Sequence, residues 1–173
     1  MRASSPASLL LSGLAAGDQR AFASLYDRLG TPMLRVAAAM LGADEAQDAV
    51  QDVFVGLAKS RERLLLVEDL DSYVFACLRN IVGQRLKRLK IEQLRLSEFA
   101  ANASSGKTQP AGTDEDLEIA LRKLPADQRE VIALKVDGEL TFAQIAQVLG
   151  VSPNTAASRY RYALEKLRRM MGK

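Results

Sequence analysis

This chain has no histidine, no tryptophan and a single cysteine among its 173 residues. Without His there is no imidazole base and no Cys/His metal site, and with only Cys77 there is no intrachain disulfide. Cys77 lies in the apolar run Val74 to Leu78 and reads as a small buried hydrophobe, not a nucleophile. No phosphate-cradling glycine loop is present, so an enzyme acting on nucleic acid would lack base, metal and cradle together. The expectation is no catalytic residue, no metal and no cofactor. Long apolar runs are also missing. Leu9, Leu10 and Leu11 form a stretch far too short to span a membrane and lack a convincing cleavage site, which points to a soluble, cytoplasmic protein without membrane insertion. Strand-type alternation is absent, whereas apolar residues recur at i, i+3 and i+4 almost everywhere. The expected fold class is all-α.

What is present is an apolar content of 48%, enough for helical cores, and a net charge of only +3 that is unevenly spread. Arg85, Lys87, Arg88, Lys90 and Arg95 are interrupted only by Glu92; Arg159, Arg161, Lys166, Arg168, Arg169 and Lys173 only by Glu165. Two separated basic patches suggest a long polyanion touched twice. Acidic clusters at Asp44 to Asp52 and Asp114 to Glu118 suggest protein partners, or plain helix N-termini favoured by the dipole.

Along the chain, Asp18 is expected to cap a helix that ends at Gly30, and Thr31 with Pro32 to start another reaching Leu41. After Gly42 a third helix covers Asp44 to about Ser60. The pattern loosens from Leu64 to Asp71, and a long helix then runs from Ser72 to about Leu94, apolar at first and basic at its end. Residues 97–113, rich in Ala, Ser and Gly, hold hardly any large apolar group and read as a flexible linker. The plan is two small helical domains, 1–96 and 114–173, on a tether.

The most informative stretch is Leu140 to Arg169. Thr141 and Gln144 form a T-x-x-Q capping box before a helix that buries Phe142, Ile145, Val148 and Leu149 and stops at Gly150. Ser152 as N-cap and Pro153 at the first helical position start a second helix at once. Ala156, Tyr160, Ala163, Leu164 and Leu167 share one face, and Asn154, Ser158, Arg159, Arg161 and Arg168 the other. That is the layout of a helix-turn-helix whose polar, cationic face suits phosphates and base edges in a major groove. A plain helical hairpin with a solvated basic face has the same geometry.

The order and spacing of several strings resemble the extracytoplasmic-function (ECF) sigma factors of bacterial RNA polymerase, the smallest members of the sigma-70 class. The strings are Gly17-Asp18 through Phe22 and Tyr26, the run from Asp44 to Phe54, Tyr73-Val74-Phe75 with Arg79-Asn80, Leu124-Pro125 with Gln128 to Val131, Phe142 with Ile145-Ala146, Leu149 to Ser152, and Ser158-Arg159. The resemblance spans nearly the whole chain apart from the first dozen residues and the linker. It implies a binding protein, not an enzyme, that directs core polymerase to promoters and aids their melting. The rival reading is a stand-alone helix-turn-helix transcriptional regulator, which leaves the acidic helix and the second basic patch without a role.

By the same resemblance, Gln47, Asp48, Gln51 and Asp52 would dock on the clamp of the polymerase's largest β-type subunit, with the flap as a further contact; Val53 and Phe54 would be shared between core and interface, with core the preferred reading for Phe54. Asp69, Leu70, Asp71, Tyr73, Arg79 and Asn80 match the stretch that captures the minus-ten element as single strand, with Arg85, Lys87 and Arg88 behind them for phosphates. Tyr73 could equally be core. Asn154, Thr155, Ser158, Arg159 and Arg161 match the reader of the minus-thirty-five element, although Thr155 could instead back the capping of its own helix. An anti-sigma factor is a partner by family habit that no residue here identifies. The chain departs from the family in lacking the frequent tryptophans and in having Ala157 where Lys is common, so no promoter sequence carries over.

Overall fold

A computed structural model describes residues 6–99 and 113–172, and among these every regular element is a helix. The helices are α1 (Pro6–Ala16), α2 (Gln19–Leu41), α3 (Ala43–Lys59), α4 (Leu70–Phe99), α5 (Thr113–Arg122), α6 (Ala126–Ile132), α7 (Phe142–Leu149) and α8 (Pro153–Met170). A 3-10 segment, Arg61–Leu66, precedes α4, and a wider π turn, Ala133–Asp137, follows α6. The fold class is the expected one: two helical bundles, α1 to α4 and α5 to α8.

Two local expectations are corrected, at Gly30 to Pro32 and in the linker, and a further helix is present at the amino terminus. The break at Gly30 to Pro32 does not occur, and α2 runs through both residues. Gly30 is buried against the Tyr26 ring, where an added Cβ would lie 3.4 Å from three ring atoms, and Pro32 removes only one intrahelical donor. The amino terminus forms a helix, α1, because Leu14 is fully buried and Leu10 and Leu11 pack on the core. The expected linker is helical at both ends, since α4 reaches Phe99 and α5 begins at Thr113; residues 100–112 lie outside the described ones.

Local chemistry explains the boundaries that held. Asp18 caps α2 by accepting from the Arg20 N–H at 3.0 Å. Both halves of the α7 capping box form, Gln144 N–H to Thr141 Oγ1 at 3.2 Å and Thr141 N–H to Gln144 Oε1 at 3.0 Å. Gly150 leaves α7 in the left-handed region at φ 67°, which a side chain would oppose. Ser152 then caps α8 through the Thr155 N–H at 3.0 Å.

The two bundles do not stand apart. One continuous core includes Leu25, Met33, Val53, Leu57 and Phe75 from the first and Val131, Leu134, Leu140 and Ile145 from the second. Helix α7 packs on α4, and α6 with the π turn packs on α2. Gly138 makes the approach possible, because a Cβ there would meet the Leu134 carbonyl at 2.7 Å and the Phe75 ring at 3.3 Å.

Candidate nucleic-acid interface

The recognition face of α8 starts from its cap. Asn154 and Thr155 are exposed in its first turn, Ser158 and Arg159 are half-buried one turn on, and Arg161 is exposed. Thr155 serves its own helix: its N–H and hydroxyl both meet Ser152 Oγ, the latter at 2.8 Å. Arg159 points back toward Asp127 of α6 at 3.6 Å, and Arg161 lies over the Tyr162 ring at 5.5 Å. The opposite face is held by Ala156, Ala163 and Leu167, with Phe142 edge-to-face on Tyr160 at 5.6 Å.

The second surface is the segment that enters α4. Asp69 caps that helix, accepting from the Ser72 N–H at 2.7 Å. Burial pulls its carboxyl upward, but the Ser72 N–H, the Gln144 amide and the Asp71 N–H outweigh that pull and hold it below the ordinary aspartate value. Asp71 is paired with Arg28 at 2.7 Å. Arg63, Leu66, Val67, Asp69, Ser72 and Tyr73 line an open cleft of about 640 Å³. Ser72 is 5% exposed, and its hydroxyl, buried beside the Asp69 carboxylate, adds to the N–H groups that favour the charged form there.

Tyr73 is half-buried at this cleft, where burial raises its phenol above the usual value, and burial likewise raises the Cys77 thiol one turn further on. Cys77 is thus a partly buried, protonated thiol, in line with its reading as a packing residue. Arg79 is paired with Glu130 of α6 at 2.7 Å, while Asn80 is exposed with no side-chain partner among the described residues.

Arg85 is engaged within the first bundle. It is 14% exposed and bridges Glu45 at 2.5 Å and Asp52 at 2.6 Å, and the Asp52 bond chiefly keeps its guanidinium charged. It ties α3 to α4, whereas Lys87 and Arg88 one turn on are exposed. On α3, Gln47, Asp48 and Gln51 are exposed and Asp52 is shared with this clamp. Phe54 is half-buried, edge-to-face on Tyr26 at 5.3 Å, so its ring belongs to both core and surface.

Sequence reasoning assigns no site role to Glu130, Gln144 or Gln147. Gln144 was legible as a capping residue only. Its amide nitrogen also reaches Asp69, at 3.2 and 3.4 Å, across 75 residues of chain. Gln147 lines the cleft from α7. Periodicity within one helix carries no signal for such contacts.

Among the described residues, no helix is long and apolar enough to cross a membrane. Residues 25–91 match the family model of sigma-70 region 2, and residues 114–167 that of sigma-70 region 4. The chain is 30% identical over 144 residues to the ECF RNA polymerase sigma factor EcfG of Rhodopseudomonas palustris, covering 79% of this chain and 77% of that one. It is 28% identical over 165 residues to SigM of Mycobacterium tuberculosis, also an ECF RNA polymerase sigma factor, covering 94% and 83%. Its fold resembles that of CnrH, solved in complex with the cytosolic domain of CnrY, with a TM-score of 0.68 at 23% identity over 95% of this chain and 96% of that one. It also resembles RpoE of Bartonella quintana, solved with the anti-sigma factor NepR, with a TM-score of 0.62 at 23% identity over 95% and 92%. The chain belongs to the ECF sigma factors of the sigma-70 family.

Proposed function

We propose that this protein directs core RNA polymerase to a set of promoters and helps to melt them, by binding alone and in the cytoplasm. One observation carries the reading: a capped helix-turn-helix with an exposed polar face shares a chain with an exposed acidic helix and an open cleft lined by Asp69 and Tyr73. A regulator that only bound duplex DNA would use the first of these and leave the others idle.

In this account residues 1–96 form the module that meets polymerase and the minus-ten element, 114–173 the module for the minus-thirty-five element, and 97–113 the connection. Gln47, Asp48 and Gln51 present the docking face to the β-type clamp, with acidic charge steering them toward basic groups. Asp52 contributes only so far as Arg85 leaves it free. Asp69, Leu70, Asp71, Tyr73, Arg79 and Asn80 surround the place for an extruded base, and Lys87 and Arg88 follow the backbone. Asn154, Ser158, Arg159 and Arg161 read the major groove, and Thr155 sets their helix. Two sites bridged by one chain raise the effective concentration of each for the other. An anti-sigma partner is part of the proposal on the strength of relatives solved with one.

The test is co-purification of the full chain with core polymerase. Asp48→Arg is expected to weaken that association at least tenfold while leaving the fold intact, and Arg159→Ala to leave it unchanged. Association that ignores Asp48 removes the docking face, and no association at all removes the sigma reading.

A further inference from the structure

Helix α1 precedes the stretch matched to sigma-70 region 2, which begins at residue 25. It packs on α2 and on the 3-10 segment Arg61–Leu66, and that segment touches α3 only lightly. A 3-10 turn has poor hydrogen-bond geometry and rarely exceeds about four residues, so a run of six needs support from outside. The segment's inward anchor is the fully buried Leu64, while Leu65 and Leu66 beside it are 63% and 85% exposed. One anchor therefore decides where two outward leucines stand.

The support runs along the whole of α1. Leu14 is fully buried in the same core as Leu64. Just past the end of α1, Gly17 turns at φ 77° under the Arg61 side chain, whose Nε lies 3.3 Å from the place of an added Cβ. Toward its start, Pro6, Ala7 and Leu10 share an open cleft of about 530 Å³ with Glu68, Asp69 and Leu70. Eleven helical residues span about 16 Å, so α1 accompanies the entry to α4 from Arg61 to Leu70. That entry walls the second cleft: Arg63, Leu66 and Asp69 line it, and Ser60 and Arg63 act on the Tyr73 phenol.

From this arrangement we infer that α1 is the positioning element of the strand-binding cleft, with Leu14 as the positioning residue that fixes the 3-10 segment and so places Arg63 and Leu66. The use of the cleft for a DNA strand rests on the function proposed above; the dependence of its wall on α1 does not. Helix α3 takes its place from α2 and α4, so the docking face of Gln47, Asp48 and Gln51 should not share that dependence.

Leu14→Ala in the full chain tests this, with Leu14→Met as the volume-conserving control. Nitroxide labels on Leu65→Cys, or on the exposed Val55→Cys of α3, in a Cys77→Ala background report local motion. Leu14→Ala should shorten the correlation time of the label at residue 65 at least twofold and leave that at residue 55 unchanged. With core polymerase, the permanganate reactivity of promoter thymines melted by the parent should fall about tenfold, while association with core stays within twofold. Leu14→Met should match the parent throughout. Gly17→Ala, which empties no core site but opposes the turn and presses on Arg61, should repeat the pattern at smaller size even where Leu14→Ala fails to fold. Equal loosening at residues 55 and 65, or none at 65, overturns the positioning. Loosening at 65 with unchanged thymine reactivity overturns its role in melting. A parent that melts no thymines with core contradicts the proposed function instead, and the label motions still decide the positioning.

Discussion

The two candidate reading surfaces are prepared in opposite ways. On α8 the polar groups stand at the start of a finished helix, with Asn154, Thr155 and Arg161 exposed and, of these and Arg159, only Arg159 paired with a side chain of another helix. On α4 and its entry, Asp69, Asp71, Arg79 and Arg85 are each held by another side chain. One surface is complete before a ligand arrives; the other must first lose partners. A paired charge contributes to binding only to the extent that the ligand replaces its partner, so apparent affinity at α4 reports a conformational equilibrium as well as contact.

The strongest way to break this comparison is through the shared core. Phe75→Ala empties a fully buried site where α4 meets Gly138, and should destabilise the chain by about 3–5 kcal/mol in urea unfolding. Both bundles should feel it. A loss confined to the first bundle would mean the modules do not share a core in solution.

Next in size is the Arg85 clamp. Arg85→Ala should cost about 1–2 kcal/mol of thermal stability, a figure discounted because Glu45 and Asp52 remain partly exposed. Arg88→Ala, three residues on but exposed, should stay within about 0.5 kcal/mol of the parent and weaken DNA binding instead. If the two behaved alike, the division between structural and DNA-facing cations on α4 would fail.

Of similar or smaller size is the capping of the helix-turn-helix. Thr141→Ala and Ser152→Ala should each cost about 1 kcal/mol by calorimetry, the first also loosening Gln144 and hence its hold on Asp69. Only Thr141→Ala should therefore increase amide exchange in residues 69–76.

The smallest effect is the acid limb of the stability curve. The folded-state pKa of Asp69 lies below its unfolded value, so its contribution is complete above about pH 5 and falls away as pH drops through the folded value. Asp69→Asn should make stability less dependent on pH below about 4, and an unchanged acid limb would contradict the cap.

What could be read in the sequence was what one helix decides by itself. The Thr141 capping box, the Gly150 stop, the Ser152-Pro153 start and the acidic first turns of α3 are all local, and they stand where expected. Gly30 and Pro32 misled because the buried face of α2 on either side of them, Leu25 and Leu29 before and Met33 and Val36 after, packs on one core, which outweighs local breaking propensity. The site split along the same line. The exposure of Asn154 and Asp48 follows from their own helices, whereas the engagement of Arg85 and the Gln144 to Asp69 link depend on residues 33 to 75 positions away. No periodicity encodes those pairings.

The measurement that bears most directly on the central claim is sequencing of run-off transcripts made by core polymerase with this protein on genomic DNA. Starts should cluster at a limited set of sites that share two conserved elements at fixed spacing, with Arg159→Ala erasing preference for the upstream one. Starts indistinguishable from those of core polymerase alone would contradict the account.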